Sequence, residues 1–166
     1  ERSLEQYLKD IKPAILVVGG AYDTDDCYGA LNTYKLIREN SPSTDLHFVY
    51  GPWSHGGWHE KDYAGLGQID SWGGLSEHFM ENIEFPFFSY YLEGKGKKPE
   101  PVYAYSSGSD SWQTMDVWPQ SESVPYYLHS ENKISNLLPQ VDFSASTYTS
   151  DPDSPVPFME DPSKRN

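Results

Sequence analysis

The chain is poor in cysteine, in basic side chains and in long apolar runs, and each shortage closes off a class of protein. Its single cysteine, Cys27, excludes an internal disulfide, so a small disulfide-stapled fold is out and cysteine usage speaks neither for nor against export. With 12 Lys and Arg against 25 Asp and Glu, the net charge of −13 repels a phosphate backbone over most of the surface and argues against a nucleic-acid partner. No apolar run is long enough to cross a bilayer, so no membrane role is expected, and Glu1-Arg2-Ser3-Leu4-Glu5-Gln6 lacks the apolar core of a signal peptide. Gly-x-Ser-x-Gly, the elbow that carries many nucleophilic serines, is also missing. What is plentiful is 13 Tyr and five Trp beside 13 Gly and 13 Pro, a balance that favours a loop-rich or sandwich-like surface over a helical bundle.

Residues 14–18, Ala-Ile-Leu-Val-Val, form a continuous apolar run ending at Gly19-Gly20, which predicts a strand buried on both faces of a parallel sheet. Cys27, Ala30, Leu31, Tyr34 and Ile37 then recur at helical spacing, so one amphipathic helix is expected over 26–40, with Cys27 on its buried stripe. Ser41-Pro42-Ser43 stops it, and Leu46-His47-Phe48-Val49-Tyr50 reads as the next strand of a β-α-β unit. Residues 56–74 hold many glycines and no period, which predicts a long irregular loop. Leu75, Phe79 and Ile83 resume a helix; Pro86 interrupts it or opens a fresh turn, Phe87, Phe88, Tyr91 and Leu92 pack beneath, and Gly94 ends it. Beyond the Gly94-to-Pro99 break, residues 102–105, 113–117, 124–128 and 147–149 are candidate strands of an antiparallel sandwich. The expected fold is therefore α/β over 1–97, followed by a partial β-sandwich over 98–166.

Two segments carry the chemistry. Asp23 follows the first strand and His55 follows the second, so a β-α-β unit sets an acid and a base on neighbouring loops at the carboxyl ends of the strands. A nucleophilic triad needs a base that titrates near neutrality and an acid that fixes its tautomer. A plainer reading stands beside this one: an Asp before a helix is usually a cap, and Asp25 and Asp26 in a first turn are favoured by the helix dipole. Three carboxylates in four residues could also hold a cation. A calcium loop counted from Asp23 fails, because its fifth and twelfth positions are Cys27 and Tyr34. His55 and His59 have the spacing of a helical metal pair, but Gly56-Gly57 between them argues against a helix, so no metal is expected.

Asp23-Thr24-Asp25-Asp26 with Gly29-Ala30, and Gly51-Pro52-Trp53-Ser54-His55, resemble the α-amino acid ester hydrolases, grouped with cocaine esterase, glutaryl-cephalosporin acylase relatives and X-Pro dipeptidyl peptidases. The similarity runs on through Pro86-Phe87-Phe88 and Tyr91-Leu92-Glu93-Gly94 to the tail from Tyr148 to Pro157. It implies the C-terminal part of an α/β-hydrolase domain over 1–97 and the start of a jelly roll over 98–166, with the nucleophilic serine and oxyanion-hole tyrosine upstream of residue 1. It implies that Asp23 is the triad acid, His55 the triad base, and Asp25 and Asp26 part of a carboxylate cluster for the substrate's α-ammonium. No cofactor is expected. The implied substrates are small esters, amides or β-lactams of α-amino acids, and the implied location is periplasmic or secreted. X-Pro peptidase or glutaryl-acylase activity are alternatives, the latter ill matched to an acidic cluster. A non-catalytic carbohydrate- or protein-binding module is the rival from another class. Sheet edges left open by missing strands make association between copies an expectation.

Overall fold

The computed structural model describes residues 5–61, 65–66, 69–70, 73–141, 143 and 145–156. They divide into two compact units between Trp118 and Pro119.

In the first unit, strand β1 (Ile15–Gly20), helix α1 (Cys27–Asn40) and strand β2 (Leu46–Gly51) form the expected β-α-β unit. The two strands run parallel without stagger, Ile15 opposite Leu46 and Gly20 opposite Gly51. Both strands therefore end in glycine at the same level, and the two loops leave the sheet side by side. After a 3₁₀ turn (Gly57–His59) come the short strands β3 (Gly65–Leu66) and β4 (Ile69–Asp70), paired antiparallel; the rest of the loop expected over 56–74 lies partly outside the described residues. Helix α2 (Leu75–Phe79) passes through a π segment (Met80–Glu84) into α3 (Phe85–Glu93). Pro86 stands in the first turn of α3, directly after the π segment, and Gly94 closes α3 in the left-handed conformation at φ 66°.

The strands β5 (Val102–Ser106) and β6 (Ser111–Met115) correct the sandwich expected over 102–117. β5 pairs parallel with β2 and β6 returns antiparallel, giving one sheet in the order β1-β2-β5-β6. The helices 75–93 are the crossover that a parallel neighbour of β2 requires, so the Pro/Gly/Lys-rich stretch over 94–99 closes that crossover and does not end a domain. The first unit thus extends past the 97/98 boundary suggested by composition.

Two apolar clusters hold the sheet. On one face Val49, Trp53, Leu75, Phe79 and Ile83 are buried together; on the other, Tyr34, Phe48 and Val102. Buried His47 ties β2 to the crossover, its Nδ1 donating to the Glu100 carbonyl at 2.8 Å and its Nε2 meeting the Tyr91 hydroxyl at 2.8 Å. Of the residues expected beneath the helix, Phe87 is buried, whereas Phe88 and Leu92 are exposed. Cys27 is exposed too, not buried on the stripe: periodicity fixes the face of α1, but the helix's first residue lies at the mouth of the strand loops, short of the core. No described helix is long and apolar enough to cross a membrane.

In the second unit, strands β7 (Tyr127–His129) and β8 (Lys133–Ser135) form a hairpin. Glu131 and Asn132 take positive φ at its turn. Residues 147–149, read as a strand, have no regular structure.

Candidate active site

Backbone bonds stitch the β1 and β2 loops together before any side chain meets. Ala21 N–H donates to the Gly51 carbonyl at 2.8 Å and Tyr22 N–H to the Trp53 carbonyl at 3.1 Å. Gly20 makes this approach feasible, since a Cβ there would lie 2.2 Å from the Trp53 carbonyl oxygen. Trp53, fully buried, anchors the second loop against Phe79, Trp58 and Trp112.

Asp23 is 4% exposed and divides its two oxygens. Oδ1 accepts the N–H groups of Asp25 and Asp26, each at 2.9 Å, an Asx turn that starts α1. Oδ2 accepts from His55 Nδ1 at 3.0 Å. One carboxylate therefore both holds the turn that leads into α1 and meets the imidazole, the two arrangements that the sequence left side by side. The His55 side chain is 65% exposed, and with Nδ1 held by Asp23 its Nε2 is the nitrogen left for a reacting partner.

Burial is the largest influence on Asp23 and pushes its carboxyl up. The hydrogen bonds from the N–H groups of Asp26 and Asp25, followed by that from His55, together outweigh it and hold the group below its ordinary value of 3.8. The sign of the consequence follows. A carboxyl with a depressed folded-state pKa contributes stability above its unfolded value, and loses it as pH falls through the folded one. Asp45, where burial is likewise outweighed by bonds from Lys98 and Tyr91, acts in the same direction. Urea midpoints taken from about pH 6 to about pH 2 should therefore fall more steeply for the natural chain than for Asp23→Asn. Parallel curves would mean that Asp23 does not titrate with folding.

Asp25 and Asp26 part company. Ligand atoms of Asp23, Asp25 and His55 lie within 4.8 Å of one another, so the exposed Asp25 carboxylate faces the pair. The Asp26 carboxylate sits instead over Gly29, where a Cβ would fall 1.9 Å from its Oδ1. The three-residue cluster could hold a cation, but both Asp23 oxygens are already engaged, which leaves Asp25 as its one uncommitted carboxylate. His59 bonds Glu84 at 2.9 Å, and among the described residues the cluster that includes His55 does not include His59. Ser76 and Glu84, which reach this loop from the helices, carried no motif; only a helix returning under the loop would have flagged them.

No protein-family profile and no curated protein sequence matches the chain. Solved structures do. An aminopeptidase from a marine-sediment Thaumarchaeota archaeon superposes with a TM-score of 0.75 at 31% identity, over 92% of this chain and 25% of that one. An α-amino acid ester hydrolase, solved with selenomethionine, superposes with a TM-score of 0.74 at 27% identity, over 95% of this chain and 28% of that one. The chain spans about a quarter of the length of these two proteins. Motifs, sheet topology and superposition agree, and the resemblance to the α-amino acid ester hydrolase family of hydrolases holds over nearly the whole of this chain.

Proposed function

We propose that this chain supplies the acid and the base of a serine hydrolase acting on esters or amides of α-amino acids. The observation that carries the reading is the buried Asp23 carboxylate bonded at 3.0 Å to Nδ1 of an otherwise exposed His55. Asp23 holds the ring as the Nδ1–H tautomer, and Nε2 takes the proton of a serine contributed from outside these residues. The serine attacks the acyl carbon, the acyl–oxygen or acyl–nitrogen bond breaks, and Nε2 returns the proton to the leaving group. Water then releases the acyl group by the same route in reverse roles.

Asp25 gives the site its substrate class, since an exposed carboxylate beside the acid–base pair favours a cationic neighbour. One structural neighbour is described as an aminopeptidase and the other as an α-amino acid ester hydrolase. Both names denote substrates with a free amino group, which supports an α-ammonium at this position. Asp26, turned onto Gly29, has the smaller share. We read the unit from Pro119 as the start of a β-sandwich, which its hairpin supports, and place the whole protein in the periplasm or outside the cell.

The test is hydrolysis by the full-length protein of phenylglycine methyl ester against its counterpart lacking the amino group. The amino ester should be preferred by about tenfold or more in kcat/KM, with Asp25→Asn reducing that preference and His55→Ala abolishing turnover of both. Equal turnover of the two esters would remove the ammonium site. Undiminished turnover by His55→Ala would remove the triad.

A further inference from the structure

Among the described residues the His55 side chain makes one hydrogen bond, to Asp23, meets the Trp58 ring edge-on at 6.5 Å between centroids, and is two-thirds exposed, so the position of its ring depends on the backbone on either side and on the turn that carries Trp58. Upstream, the Trp53 carbonyl is fixed by Tyr22. Downstream, Gly56 turns the chain at φ +75° into the 3₁₀ turn Gly57–His59. That turn is held from below. Ser76, fully buried in the first turn of α2, donates its hydroxyl to the Gly57 carbonyl at 2.8 Å, and Glu84 of the π segment bonds His59 at 2.9 Å.

We propose that Ser76 is a positioning residue for His55, acting through the Gly57 carbonyl, with the Glu84–His59 bond as a second clasp on the same turn. Alanine would suit a buried helical position between Leu75 and Phe79 better than serine, whose hydroxyl must there find a partner. The partner it finds is the backbone two residues after His55. The Gly57 carbonyl also accepts Glu60 N–H at 3.2 Å, so the serine is not required merely to satisfy that oxygen. What the extra bond adds is a tether from the helix to the His55 loop. A left-handed glycine lies between tether and histidine, and loss of the tether lets the loop pivot there.

The inference rests on His55 being the partner of Asp23, and the experiment separates the two. Nitrogen-15 shifts of the His55 ring in this chain, at a pH where the ring is neutral, report the ratio of Nδ1–H to Nε2–H tautomers. The unmodified chain should show Nδ1–H. Ser76→Ala should lower the ratio by about tenfold and Glu84→Gln by about twofold to threefold, while Ile83→Val, which thins the same core, should leave it unchanged. If Ser76→Ala lowers the unfolding midpoint as Ile83→Val does but keeps the natural ratio, serine is a packing residue and the proposal fails. Should Ser76→Ala not fold, an unchanged ratio in the Glu84→Gln variant, at a half-buried position, overturns it. A natural chain with Nε2–H would instead refute the Asp23–His55 pairing, and the tether with it.

Discussion

If the full-length protein is the proposed hydrolase, Asp23→Asn should lower its kcat by about 10⁴-fold with KM changed by less than about twofold. The amide retains an oxygen that can accept from Asp25 and Asp26, so the start of α1 is preserved. Its NH₂ group then faces His55 Nδ1, which must become an acceptor, and the ring's proton moves to Nε2. A ring carrying its proton on Nε2 cannot receive another from a nucleophile there. The carboxylate that offsets the imidazolium charge is also gone. Steady-state kinetics decide the matter, with far-UV circular dichroism to establish that the variant is folded. A loss below about tenfold would mean that Asp23 serves only to hold the turn before α1.

The largest stability effect is expected from Phe48→Ala. Phe48 is fully buried at the centre of β2, stacked on Tyr34 at 4.8 Å between ring centroids and met edge-on by Trp118 at 5.2 Å. Val17 and Val102 are its register partners on the two neighbouring strands. Truncation removes most of an aromatic side chain from a site whose walls are a helix and two strands, and these cannot close in without breaking register. The cost should be about 3–5 kcal/mol, a large share of the roughly 5–15 kcal/mol that holds a domain together. Urea unfolding should show a much lower midpoint with an unchanged slope. A shift of less than about 1 kcal/mol would mean that the Tyr34, Phe48 and Val102 cluster contributes little to stability.

The meeting of Asp23 and His55 was legible in the sequence because a β-α-β unit has few ways to fold. A strand, a helix and a strand joined by short turns make parallel neighbours whose carboxyl ends coincide, and residues just past those ends must meet. The opposed readings of Asp23 could not be resolved in advance, since a residue name does not reveal that its two oxygens have different partners. Asp25 and Asp26 are chemically alike and adjacent, yet one faces His55 while the other fills the space above Gly29, a distinction made by the turn that Asp23 caps. The strands after Pro99 misled for a different reason. Composition marks a break in regular structure, but it cannot tell a linker from the end of a crossover; only the pairing of Val102 with Phe48 does that. Ser76 and Glu84 left no trace because their partners lie far back in the chain and across the fold.

The unstaggered pairing of Gly20 with Gly51 works as a vernier for the site. One residue added within β1 or β2 would slide one loop past the other by about 3.3 Å and exchange the two faces of the strand, parting the carboxylate from the imidazole while leaving both residues in place in the sequence. Additions to the turn over 41–45, at the far ends of the strands, would leave the setting untouched. Among relatives, changes of length should therefore gather in that turn, and the count of residues from each paired glycine to the Asp or His that follows it should hold constant even where the side chains between them do not.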